Sequence, residues 1–148
     1  MKRLSAVLAG VAALAALTGT QAVAATTPAG PAGPVGAVIT CGSPGAPGFL
    51  QTRACIEVTG TQVRLYGTAY STNPGWVAQN VGFRLSGNAV GLPPLPPITP
   101  TVLVPVGGRS VGDITLTVPC GTTVNAEFSV DQFGWPPSTA TASTVVTC

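Results

Sequence analysis

The chain has 148 residues, of which 45% are hydrophobic and only 7% charged, with 19 Gly, 15 Pro, 4 Cys and no His. That length suits one domain. A formal charge of +2 from six basic and four acidic residues offers no basic face for nucleic acid, and the missing histidine excludes Ser-His-Asp and Cys-His catalysis and imidazole metal ligation.

Residues 1–24 read as a secretory signal peptide. Lys2 and Arg3 form a positive start, and the apolar run Leu4–Leu17 is too short to span a bilayer as a helix of about 20 residues. Ala22-Val23-Ala24 then supplies a small-x-small cleavage site, with cleavage after Ala25 the neighbouring option and an uncleaved anchor the alternative. Removal of this segment takes Lys2 and Arg3 with it. Arg53, Arg64, Arg84 and Arg109 then balance Glu57, Asp113, Glu127 and Asp131, so the remaining chain is neutral. Neither nucleic acid nor an anionic membrane is expected as a partner. Arginine used to the exclusion of lysine, with abundant Ala, Gly and Pro, points to a GC-rich bacterial genome.

Residues 25–36 (ATTPAGPAGPVG) read as a flexible Pro/Gly/Ala leader, which leaves 37–148 as the secreted domain. A second breaker patch, Gly42–Gly48 (GSPGAPG), and a third, Gly91–Pro100 (GLPPLPPITP), interrupt the domain, the third as an extended polyproline connection. Leu92–Pro97 also carries a PxxP pattern, read as a stiff link between strands.

Between these breakers the chain alternates with period two. A short first strand is expected near Val35–Thr40. Ala54–Thr59 and Gln62–Tyr70 form a hairpin turning at Thr59-Gly60-Thr61. Val77–Ser86 places Val77, Val81, Phe83 and Leu85 inward, and Thr101–Val106 is an edge strand because Pro105 cannot donate to a ladder. Gly112–Val118, Thr122–Asp131 and Thr139–Cys148 complete the set. The expected fold is all-β, an immunoglobulin-like antiparallel sandwich of seven or eight strands with an aliphatic core, and a closed barrel is the alternative.

Cys41, Cys55, Cys120 and Cys148 are expected to form two disulfides in an exported chain. The pairing Cys41–Cys55 and Cys120–Cys148 closes two local loops. A zinc site has neither a C-x2-C pair nor a histidine to build on, and no metal or cofactor is expected.

Catalysis has little to work with. Glu57, Asp113, Glu127 and Asp131 are the only carboxylates, and they fall singly on outward strand positions, so a small secreted hydrolase is the least favoured reading and no catalytic residue is assigned. The tryptophans offer more. Trp76 in Asn73-Pro74-Gly75-Trp76 and Trp135 in Phe133-Gly134-Trp135-Pro136-Pro137 lie in turn sequence, where an indole can stack on a sugar or anchor a partner. The competing reading has them cap the ends of the core or pack on the prolines of 93–97. Tyr66 and Tyr70, outward on one strand with Arg64, would extend such a surface.

The expectation is therefore a non-catalytic secreted, extracellular or cell-wall-associated binding module for a glycan or a protein, monomeric, contacting its ligand through Trp76, Trp135, Tyr66 and Tyr70. A structural or surface-coat protein is the alternative, suggested by low charge, Val/Thr-rich strands and a mean hydropathy of +0.48.

Overall fold

A computed structural model describes residues 36–132, 134–136 and 138–148. The expected signal peptide at 1–24, leader residues 25–35, Phe133 and Pro137 lie outside them. The described residues form eight strands and no helix: β1 (Val38–Cys41), β2 (Leu50–Thr59), β3 (Gln62–Ser71), β4 (Gln79–Ala89), β5 (Thr101–Val104), β6 (Arg109–Thr117), β7 (Thr123–Val130) and β8 (Thr139–Val145). They make two four-stranded antiparallel sheets, β1-β2-β3-β6 and β5-β4-β7-β8, rather than one closed barrel.

Alternation decides which face each sheet buries. In β2, Leu50, Ala54, Ile56 and Val58 point inward, and in β3 Val63, Leu65 and Ala69 do the same. From the second sheet Val81, Phe83, Leu85, Val124, Ala126 and Phe128 meet them. The two large rings, Phe83 and Phe128, stack with centroids 5.1 Å apart and planes 13° from parallel. Gly67 of β3 lies directly beneath Phe128, whose ring occupies the space a Cβ at residue 67 would need. A core of small branched residues thus accommodates its aromatic pair through one missing side chain in the opposite sheet.

The expected strands hold, with shifts that have local causes. β2 begins at Leu50 rather than Ala54; the polar Thr52 interrupts the apolar pattern, yet it is fully buried and bridges to Gly45. Val77, expected inward, is 77% exposed, because Trp76 takes the last core position before β4 starts at Gln79. β5 stops at Val104, where Pro105 opens a turn closed by the Gly108 N–H on the Pro105 carbonyl at 3.0 Å, and Val106 is left exposed. β5 is an edge strand, as its proline requires.

β6 carries a feature the alternation conceals. Val111 and Ile114 stand three residues apart and both face the core, which a regular strand forbids. The register slips by one residue opposite Leu65–Gly67, and Gly112 takes a φ of 72° there. This bulge turns the strand over in one step and preserves the apolar face on both sides of it.

The proline-rich connection is less free than its composition suggests. Ile98 and Leu85 exchange two backbone hydrogen bonds of 2.9 Å, and Leu95 and Ile98 pack against the core. Both disulfides form as the spacing suggests: Cys41–Cys55 joins directly paired residues of β1 and β2, and Cys120–Cys148 ties the β6–β7 connection to the C-terminal residue. Loops of this length restrict the unfolded chain by about 3–4 kcal/mol each.

Replacing Gly67 with Ala should destabilise the protein by about 1–3 kcal/mol in urea unfolding, since Phe128 must leave its stacked position. Gly107→Ala, where nothing lies within 4 Å of the added methyl, should change stability by no more than about 0.5 kcal/mol. Equal effects at the two positions would contradict the packing described.

Candidate functional site

The four aromatic residues singled out from sequence have different fates. Trp76 ends a turn in which its N–H bonds the Asn73 carbonyl at 3.0 Å while the Asn73 Oδ1 accepts from the Gly75 N–H at 2.8 Å. The indole is 7% exposed, and Nε1–H donates to the Val104 carbonyl at 3.0 Å. It plugs one end of the sandwich and pins the last residue of edge strand β5. Trp76 is therefore removed from the expected binding set: closing that end of the core buries its ring and uses its single donor. The prolines of 93–97 follow the far end of β4 and are not what it packs on.

Tyr66 is also withdrawn from the surface. It stands on the outer face of the first sheet, opposite Cys55 in register, yet is only 8% exposed. The Arg64 guanidinium covers its ring at 4.8 Å. Arg64 is held there by Asp113 at 3.0 Å and Glu57 at 3.2 Å. Hydrogen bonds to Asp113 and then Glu57, reinforced by their charge, hold the arginine pKa above its ordinary value. The cluster Glu57–Arg64–Asp113 is a solvated cross-strand network, and such pairs contribute on the order of 0.2–1 kcal/mol each. Two of the four carboxylates considered for hydrolysis are thus bound to one arginine. Tyr70, four residues further along β3, remains 37% exposed.

Trp135 behaves differently. It lies in the β7–β8 connection, half-buried, against Gly48 of the β1–β2 connection. Beside it is a residue that the sequence analysis did not select, Phe49, with 60% of its surface exposed. Together with Gln79, Pro136 and the two glycines Gly48 and Gly134 they line an open groove of about 300 Å³. Among the described residues no charged side chain lines it.

The Phe49 backbone is fixed although its ring is free. Its carbonyl accepts from the Thr72 N–H at 2.9 Å, the Thr72 hydroxyl at 3.1 Å and the Ser71 hydroxyl at 3.3 Å. An aromatic ring on a floppy loop folds onto the nearest apolar surface; this one is held out by three donors from the end of β3. Its signal in the sequence was slight: a lone Phe directly after Gly42–Gly48, the patch read as a breaker.

This groove sits where four connections meet. The register places the β1–β2, β3–β4, β5–β6 and β7–β8 connections at one end of the sandwich and the β2–β3, β4–β5 and β6–β7 connections at the other. Loops carried on rigid strands are the usual seat of binding residues. Among the described residues no group of three or more His, Cys, Asp or Glu side chains is arranged to hold a metal ion.

The two indoles should be separable in solution. Acrylamide should quench the Trp135 emission and leave that of Trp76, so Trp135→Phe should yield a protein whose remaining fluorescence is protected. Trp76→Phe should cost about 1–3 kcal/mol by stranding the Val104 carbonyl. Comparable quenching of both tryptophans would contradict the burial of Trp76.

No family model, no curated protein and no solved structure matches this chain.

Proposed function

We propose that this chain is an exported, non-catalytic binding module, an immunoglobulin-like sandwich that takes an uncharged glycan between Phe49 and Trp135. The observation that carries the reading is the Phe49 ring, 60% exposed on a backbone fixed by three hydrogen bonds, facing a half-buried tryptophan across an uncharged groove. Aromatic faces stack on sugar rings with their apolar C–H surfaces, and the Gln79 amide offers a donor and an acceptor beside them.

Export is supported by the leader pattern of residues 1–24 and by two disulfides with no free cysteine. The immunoglobulin-like assignment is supported by strand order. β2-β3-β6 facing β5-β4-β7-β8 follows the A-B-E and C′-C-F-G arrangement, with β1 added at one edge. Both disulfides depart from the inter-sheet bridge of antibody domains. In that arrangement the β3–β4 and β7–β8 connections correspond to the loops that antibody domains use for recognition.

The surface-coat alternative would use the open edge of β6, nine residues from Arg109 to Thr117. That strand carries two charges and a bulge, devices that disfavour edge pairing. Sedimentation at micromolar concentration should show a monomer, and concentration-dependent assembly would favour the coat reading instead.

The glycan reading is tested by native gel electrophoresis through neutral polysaccharides, among them cellulose derivatives, mannan, soluble starch and β-1,3-glucan. At least one should retard the wild type, and Phe49→Ala and Trp135→Ala should each reduce the retardation tenfold or more with the folded far-UV spectrum intact. Absence of retardation by every polysaccharide, equal retardation of the variants, or association only with a protein partner would overturn it.

A further inference from the structure

The outer face of the second sheet holds a cluster unlike the rest of the surface. Register aligns Ser86, Glu127 and Thr141 in one row across β4, β7 and β8, and Asn88, Asn125 and Ser143 in the next. Neighbouring strands are about 4.8 Å apart, and alternate residues along a strand about 6.8 Å. Six polar side chains therefore form a two-by-three grid on a nearly flat support. The only side-chain hydrogen bond among them, within the described residues, runs from Asn125 Nδ2 to Asn88 Oδ1 at 2.8 Å. The hydroxyls of Ser86, Thr141 and Ser143 and the Glu127 carboxylate make none there, which leaves their donors and acceptors free.

The grid is walled. After β1, Cys41-Gly42-Ser43 turns past the edge of β8 so closely that a Cβ on Gly42 would coincide with the Thr141 carbonyl. The Gly42 N–H bonds the Ala54 carbonyl at 3.0 Å and the Cys41–Cys55 disulfide fixes the preceding residue, so the wall is anchored on both counts. The wall and the grid residues other than Ser86 line an open groove of about 560 Å³.

The geometry points to a second binding site in this groove, one that holds a neutral, hydroxyl-rich saccharide by hydrogen bonds. The chemistry of the lining selects that class. A protein partner needs large apolar or aromatic anchors, and the exposed side chains here are amides, hydroxyls, one carboxylate and the disulfide-bonded Cys41. Phosphorylated or otherwise anionic ligands need cations, and the lining has none. Each sugar hydroxyl is both donor and acceptor, as are the Asn, Ser and Thr groups presented, and Glu127 adds a charged acceptor that strengthens hydrogen bonds from sugar hydroxyls.

This site shares no residue with the Phe49–Trp135 groove and goes beyond that reading. The two are nevertheless joined. The connection from Gly42 to Gly48 walls the polar groove at its start and lines the aromatic one at its end, and Ala46 is tied between them by its N–H bond to the Ser138 hydroxyl at 3.0 Å. Six residues reach at most about 20 Å, so one extended oligosaccharide can engage both.

The test is a titration of ¹⁵N-labelled protein with cellohexaose, mannohexaose, maltohexaose and laminarihexaose, and with the matching disaccharides. The side-chain amides of Asn88 and Asn125 report on the polar groove, and the Trp135 indole N–H reports independently on the aromatic one. The expected result is that at least one hexasaccharide shifts both amide signals, and that Asn88→Ala with Asn125→Ala, or Glu127→Gln alone, weakens that binding about tenfold with the melting temperature unchanged. Shifts of the amides with the Trp135 signal still would support the polar site and count against the aromatic one. A moving Trp135 signal with unmoved amides would overturn the polar site and leave the Phe49–Trp135 reading intact. No shift at either place with any of the saccharides would overturn both.

Discussion

The stacked Phe83–Phe128 pair over Gly67 is the contact on which the sandwich depends. Within the strands the other large, fully buried side chains are Leu, Ile and Val, and these tolerate rearrangement among themselves. Two parallel rings do not. Phe83 braces Phe128 from the neighbouring strand of the same sheet, and Phe128 in turn lies against the bare backbone of β3 at residue 67, where a Cβ would hold the two sheets apart. The bulge at Gly112 serves the same end on the neighbouring strand, because it keeps Val111 and Ile114 on the face the rings require.

With the core settled in this way, the two ends of the molecule are finished by different means. One end is closed by Trp76, which covers the core and clips the short β5 through the Val104 carbonyl. The same end carries Phe49 and Trp135 on the connections around it, so a rigid plug supports a presented aromatic groove. At the opposite end Cys120–Cys148 holds the segment after β8 to the β6–β7 connection, and the Pro-rich stretch is drawn onto β4 at Ile98. A chain so poor in charge has few ways to orient its loops electrostatically; it uses backbone hydrogen bonds, prolines and disulfides instead.

The distribution of polar groups on the two outer faces follows from the same economy of charge. On the first sheet one arginine gathers two carboxylates and lies over Tyr66, and its neighbours Gln62 and Thr117 bond each other at 2.8 Å, so that cluster is internally bonded. On the second sheet the side chains of the grid are left almost unbonded to one another. The first face ties its charges together, and the second leaves the donors and acceptors of the grid free among the described residues.

Strand number, the edge character of β5 and both disulfide pairings were legible in the sequence, because each depends on local chemistry: period-two alternation, a proline without an N–H, and cysteines close along the chain. The extension of β2 back to Leu50 was hidden by a buried threonine, and the bulge in β6 by a glycine that reads as a strand boundary. The site was less legible. Trp76 and Trp135 occupy similar turn sequences, yet one indole is buried and the other is presented. What separates them is where the register brings each loop, a contact of β3–β4 with β5 in one case and of β7–β8 with β1–β2 in the other. Phe49 is fixed only by donors at residues 71 and 72, and the polar grid exists only because β4, β7 and β8 align their outward residues. Periodicity and cysteine spacing are properties of neighbours along the chain, so the sequence alone determined them; which side chains share a surface is a property of neighbours across strands, and only the tertiary structure decided that.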